Sequence, residues 1–178
     1  MAVQNLVNSD IDYLYRLLRQ QDSPSEGLLP TDPYANISIK EHICRRGASV
    51  VSPYISTSRD PVIMLRWLFQ EGQKGHNGAI AIISCRRLDF YTTLHDLSRG
   101  NYDFSDDYFN KLVLKYGEVL VHPRIDKNAI IGLKDAIERY YLIRCSHCME
   151  PGHDSSDSQK LDDWLATENT IERFYSIR

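Results

Sequence analysis

Apolar and polar residues alternate early in the chain. Ile11, Tyr13, Tyr15 and Leu17 fall on one side of an extended segment, with Arg16 on the other. A period of two predicts a strand, although Leu14 and Leu18 blur it enough that a helix also fits. Gln20–Asn36 carries Pro24, Gly27, Pro30 and Pro33, which predicts a loop of seventeen residues, long enough to carry function. Ser38 followed by Glu41 has the spacing of a capping box, so a short helix starts there with His42 inside it, and Gly47 suits its end. Tyr54–Ser58 reads as a strand.

Asp60-Pro61 opens the next helix, with Asp as cap and Pro in the first turn. Val62, Leu65, Trp67, Leu68 and Phe69 give it a wide apolar face, and Gly72, Gly75 and Gly78 are expected to end it. The unbroken apolar run Ala79–Ser84 predicts a buried strand, and Leu88–Tyr91 a short second one. Thr92–Asp107 is polar and loop-like. A helical turn is expected over Tyr108–Leu114, and a strand over Val119–Val121 that ends at His122-Pro123. Ala129–Leu133 and Tyr140–Arg144 predict the last strands. Residues 145–160 form a linker rich in Ser, Asp and His. Leu161, Trp164, Leu165, Ile171 and Phe174 recur at helical spacing and predict an amphipathic helix over 161–178. Helices early and many short strands later make an α+β domain.

Composition narrows the function class. The chain has 178 residues, a size that supports one domain with a sizeable core. Its net charge of −3 gives no basic footprint for nucleic acid, and the short pairs Arg45-Arg46 and Arg86-Arg87 do not supply one. No apolar run is long enough to predict a membrane span. The first ten residues lack a basic region followed by an apolar run, so no standard secretory signal is expected. The four cysteines are too few for a disulfide scaffold and are read as mostly reduced. Cys145, Cys148 and His153 have zinc-like spacing but lack a clear fourth ligand, so free thiols or one disulfide are expected there and no metal.

The candidate chemistry centres on Ser52–Arg59, SPYISTSR. In chain order come Leu14-Tyr15-Arg16, Gly27-Leu28, Glu41-His42 with Arg46-Gly47, Tyr54-Ile55-Ser56-Thr57-Ser58, Glu118, and then Val121-His122-Pro123-Arg124-Ile125. This ordered set, over roughly Tyr13–Leu133, resembles the mono-ADP-ribosyltransferase toxins, in particular the branch of cholera, heat-labile enterotoxin and pertussis A subunits. The resemblance implies two small packed β-sheets with flanking helices and an NAD cleft between them. It makes residues 1–144 the catalytic domain. It implies transfer of ADP-ribose from NAD, a co-substrate, to a macromolecular target, with release of nicotinamide. Arg16 would hold the phosphates or ribose of NAD, with Tyr15 beside it. His42 would contact a ribose hydroxyl or the neighbouring backbone. Ser56 would orient Glu118, and Thr57 and Ser58 would shape the cleft. Glu118 would be the catalytic carboxylate. The target would be a protein of another cell's cytosol, reached by a secreted or translocated toxin or effector, with an activating host factor or partner subunit also in view.

One position departs from the family pattern. Arginine-modifying members carry a second Glu two residues before the catalytic one, where this chain has Tyr116. That argues against arginine as the acceptor. The loop from about Asp96 to Lys115, with Tyr102, Asp103, Asp106, Asp107 and Tyr108, could present an acidic and aromatic surface to the target. Two other readings stay open: a non-catalytic NAD-binding or interaction module on the same fold, and an NAD glycohydrolase.

Overall fold

The computed structural model describes residues 11–45, 51–70, 76–99, 102, 104 and 107–135. The N-terminal decapeptide, the expected helix end at Gly47, the strand over 140–144, the linker, the terminal helix and the Cys145–Cys148–His153 group lie outside these residues. Cys44 and Cys85 are free thiols. Among the described residues no helix is long and apolar enough to cross a membrane.

The described chain is an α+β fold. Six strands, β1 (Tyr13–Arg19), β2 (Ile55–Ser58), β3 (His76–Ser84), β4 (Thr93–Asp96), β5 (Glu118–His122) and β6 (Ile130–Asp135), form one antiparallel sheet in the order β4-β5-β2-β1-β3-β6. Three helices accompany it: α1 (Ile39–Arg45), α2 (Pro61–Gln70) and α3 (Asp107–Tyr116).

The sheet has a weak seam at its centre. β3 pairs with β1 over six positions and β5 with β2 over four, but β1 and β2 meet at the single pair Tyr15–Ser58. Two three-stranded halves therefore share one joint. A continued ladder would bring Leu17 opposite Ser56. Instead, the Leu17 amide donates to Met64 Sδ at 3.1 Å, and the Ser56 carbonyl accepts from Arg16 Nη1 at 2.8 Å. Side chains satisfy backbone groups that a sheet would normally pair, as burial requires.

Residues opposite one another on neighbouring strands share a face. One face of the sheet carries Leu14, Leu18, Ile55, Ala79, Ala81, Val119 and Val121, packed under the loops that bring in Leu28, Ile125 and Ala129. The other face is covered in two pieces. α2 lays Ile63, Met64, Leu65 and Leu68 on Leu17 and Ile80 of one half. Around Leu120 of the other half gather Ile43 of α1, Val113 of α3, Leu97 and Phe104. Each such fully buried aliphatic side chain contributes about 1.5–3 kcal/mol from area removed from water. α2 therefore grips one half and α1 the other, while α3 reaches across the seam with Val113 in the second cluster and Tyr116 in the first.

Local signals explain most elements. The capping box forms: the Glu41 amide donates to Ser38 Oγ at 3.2 Å, and the Ser38 amide to Glu41 Oε2 at 2.9 Å. Asp60 caps α2 by accepting from the Val62 amide at 2.8 Å. The long loop after β1 is pinned by an isolated bridge between Leu28 and Ile125. Gly27 sits there at φ +99°, where a Cβ would stand 2.7 Å from the Ile125 carbonyl oxygen.

Four expectations need correction. Leu88–Tyr91 is not a strand: its aromatic pair Phe90-Tyr91 is exposed, and the edge strand is Thr93–Asp96, whose polar residues hide the alternation. Leu88 packs against the core, but Phe90 and Tyr91 stay exposed and the segment pairs with no strand, so β-propensity loses there. Gly78 does not end the helix; it lies inside β3 at φ +77°. α3 runs from Asp107 to Tyr116, longer than the turn expected. β1 buries both faces, with Leu14 and Leu18 as deep as Leu17, so Tyr13 of the expected apolar side is left exposed.

Candidate functional site

The seam gathers the candidate residues. Arg16 leaves β1 and is buried where β2 is no longer paired, with Nη1 on the Ser56 carbonyl. Its charge is held by Asp22, whose Oδ2 lies 3.3 Å from Nη2. Asp22 also takes Arg19 Nε and Nη2 and the Arg19 amide, at 2.6 to 2.9 Å. One carboxylate thus braces two arginines and folds the loop after β1 back onto it. Burial pushes the Asp22 pKa up, but Arg16 and Arg19 outweigh it and the net shift is downward. The Arg16 pKa is lowered, mainly by burial. Its Nε is buried and has no hydrogen-bond partner among the described residues, so one donor of the fork remains unused.

His42 extends from α1 toward β2. Its Nδ1 lies 2.6 Å from Ser52 Oγ and its Nε2 3.0 Å from Ser56 Oγ. Burial, reinforced by the positive charge of Arg16, lowers its pKa from 6.5 to about 4. The ring is therefore neutral near pH 7. It donates through one nitrogen and accepts through the other, and it fixes the direction of both hydroxyls. Ser52 is tied in turn to the long loop, since its amide donates to Thr31 Oγ1 at 2.8 Å. The resemblance assigns the Ser56 hydroxyl to Glu118; in the structure that hydroxyl meets His42.

Glu118 opens β5 and is only 5% exposed. It stands opposite Ser58, while Ser56 stands opposite Leu120, so Glu118, Ser58 and Ser56 share one face of the sheet. Thr57 and Ser58 act as fasteners. Thr57 Oγ1 donates to the Val119 carbonyl at 2.6 Å, and Ser58 Oγ to the Tyr116 carbonyl at 2.7 Å. Together with the Arg59 amide on the Gly117 carbonyl at 3.1 Å, they clamp the turn before Glu118 onto the end of β2. Tyr15, opposite Ser58 on the β1 side, is half-buried against the α2 cluster. Tyr116 is buried in that cluster and meets Trp67 edge to face, so the second residue before Glu118 is a core side chain.

The structure thus draws Arg16, Ser56 and His42 into one bonded group and places Glu118 one strand pair along, beside Ser58. Asp22 was not singled out from the sequence, and Ser52, Arg59 and Asp96 entered it only as the ends of longer stretches, without a role of their own. Asp22 had one usable signal, its spacing of three from Arg19 and six from Arg16 in a turn. The meeting of Arg59 with Asp96 had none, because it depends on the β4–β5–β2 pairing. Among the described residues no cluster of ligating side chains could hold a metal.

No protein with a curated description matches the chain. Residues 7–138 match the model of the family described as "Domain of unknown function (DUF7587)", and the chain belongs to that family.

Proposed function

We propose that this protein transfers ADP-ribose from NAD to a protein target, with release of nicotinamide. The observation that carries this reading is the seam, where a buried arginine replaces a strand partner on the Ser56 carbonyl beside His42, with Glu118 on the same face as Ser56. Two three-stranded halves joined at one pair fit an ADP-ribosyltransferase arrangement of two small sheets around a cleft.

The residues fit a dinucleotide. Arg16 retains an unused buried donor, and a guanidinium gives fork-shaped donors to phosphate oxygens. NAD supplies an N-glycosidic bond whose nicotinamide leaves as a neutral base. The protein's part is electrostatic. Glu118 would sit against the positive charge that develops on the ribose and accept a hydrogen bond from a ribose hydroxyl, as a carboxylate does in glycoside cleavage. Neutral His42 holds Ser56 without adding a charge that would oppose that cation. Tyr116 contributes no carboxylate, which disfavours an arginine acceptor. The setting that suits such an activity is a toxin or effector acting in the cytosol of a target cell, with a partner subunit or host factor where activity requires one.

The test is incubation with labelled NAD and a eukaryotic cell lysate, comparing the parent with Glu118→Gln. Label on a protein band with the parent and not with the variant supports the transferase. Nicotinamide release without labelled protein points to a glycohydrolase. Neither product, with NAD bound, points to an interaction module.

A further inference from the structure

His42 meets two hydroxyls, and the two contacts differ in length. Ser52 Oγ lies 2.6 Å from Nδ1, and Ser56 Oγ lies 3.0 Å from Nε2. A neutral imidazole has one N–H and one bare nitrogen, so one hydroxyl donates to the ring and the other accepts from it. Two observations decide which does which.

The first is the setting of Ser52, which is 1% exposed. Its hydroxyl already accepts the Tyr54 amide at 3.1 Å. A buried hydroxyl proton needs an acceptor, and among the described residues His42 Nδ1 is the acceptor this one reaches. The Ser52 backbone is pinned as well. Its amide donates to Thr31 Oγ1 at 2.8 Å, and its carbonyl accepts from Thr31 Oγ1 at 3.2 Å and from the Asp32 amide at 3.1 Å. The second observation is length. An O–H donor comes closer to its acceptor than an N–H donor, roughly 2.7–2.8 Å against 2.9–3.0 Å. The 2.6 Å contact therefore fits a hydroxyl donating to Nδ1, and the 3.0 Å contact fits Nε2–H donating to Ser56.

Nε2 thus carries the ring proton, and the donors run one way, from the Tyr54 amide through Ser52 and His42 to Ser56. The bond from His42 uses a lone pair of Ser56 Oγ and leaves its proton for a further acceptor. Ser56 is half-buried and shares a sheet face with Glu118.

We propose that Ser52 is a positioning residue: by donating to His42 Nδ1 it makes Ser56 a hydrogen-bond donor to an oxygen of the bound dinucleotide. This rests on the transferase reading and adds a residue to its site. Ser52 acts through His42. The other tautomer would spend the Ser56 proton on the ring and leave only lone pairs, which repel a phosphate or carbonyl oxygen.

The experiment is NMR of the ring nitrogens in the full chain carrying 15N-labelled histidine, near pH 7.5, with the His42 signals assigned by their loss in His42→Asn. The parent should show a bare Nδ1 and a protonated Nε2, and Ser52→Ala a mixture of the two tautomers. In NAD titrations Ser52→Ala should bind about three- to ten-fold more weakly, the size expected for one hydrogen bond. If melting curves show that Ser52→Ala does not fold, Ser52→Cys, close in size and only a weak donor, takes its place. A protonated Nδ1 in the parent, or an unmixed Nε2–H tautomer in the folded variant, would overturn the proposal, as would full NAD affinity in a variant whose tautomers are mixed. The tautomer is read without NAD, so a parent that shows the expected ring proton and binds no NAD contradicts the transferase reading instead, and the two failures are distinguishable.

Discussion

The carbonyl of Ser56 takes its hydrogen bond from the guanidinium of Arg16, 2.8 Å away, at the point where β2 parts from β1. Two roles converge on that bond. It satisfies a backbone acceptor that the seam leaves unpaired, and it holds a cation next to the His42–Ser56 pair.

Arg16→Lys keeps the charge but gives up the fork, since one ammonium cannot serve both the Ser56 carbonyl and Asp22 as the fork does. A buried polar group left unsatisfied costs about 1–3 kcal/mol. The melting temperature should drop by roughly 3–10 °C, and NAD affinity should drop with it. Calorimetry of parent and variant, with and without NAD, checks both.

His42 makes stability depend on pH. Its native pKa of about 4 lies below the ordinary 6.5, so the unfolded chain binds the proton more readily. Stability is complete above about pH 6.5 and is lost as pH falls toward 4, by up to about 3 kcal/mol from this residue. The pKa of His95, lowered by burial and by His122, adds to the slope in the same direction. Urea midpoints between pH 4.5 and 7.5 should rise with pH, and His42→Asn should flatten the rise. An unchanged slope in the variant would remove His42 from this role.

Gly27→Ala places a methyl group 2.7 Å from the Ile125 carbonyl oxygen and forces an L residue to φ +99°. The Leu28–Ile125 bridge should open or the loop shift, at a cost of about 1–3 kcal/mol. Because the same loop carries Asp22, this variant should also weaken NAD binding without touching any cleft residue. Thermal melts and NAD titration of the variant test it.

Local chemistry was legible from sequence. The Ser38–Glu41 box, the Asp60 cap and the strands around Arg16, Ser56 and Glu118 follow from patterns a few residues long. Relations set by strand pairing were not. Thr93–Asp96 carries no alternation of its own and becomes a strand because β5 offers an edge. Asp22 and Asp96 are buried carboxylates whose cost is offset by arginines brought in by the fold. The hydroxyls of the Ser56-Thr57-Ser58 run were readable as a group, but their division of labour was not. Ser56 faces His42, while Thr57 and Ser58 bond backbone carbonyls of Val119 and Tyr116. The single joint between the half-sheets likewise has no signature in the chain; it appears only as the backbone groups of Leu17 and Ser56 that side chains take over.

The most direct measurement is nicotinamide release from NAD by the purified protein and by Glu118→Gln, which keeps the shape of the side chain and removes its charge. The parent should release nicotinamide, and the variant should do so about 100- to 1,000-fold more slowly, the loss typical of one preorganised electrostatic group, with an unchanged melting temperature. Equal release by the two proteins would contradict the role given to Glu118, and no release by a parent that binds NAD would contradict the catalytic reading itself.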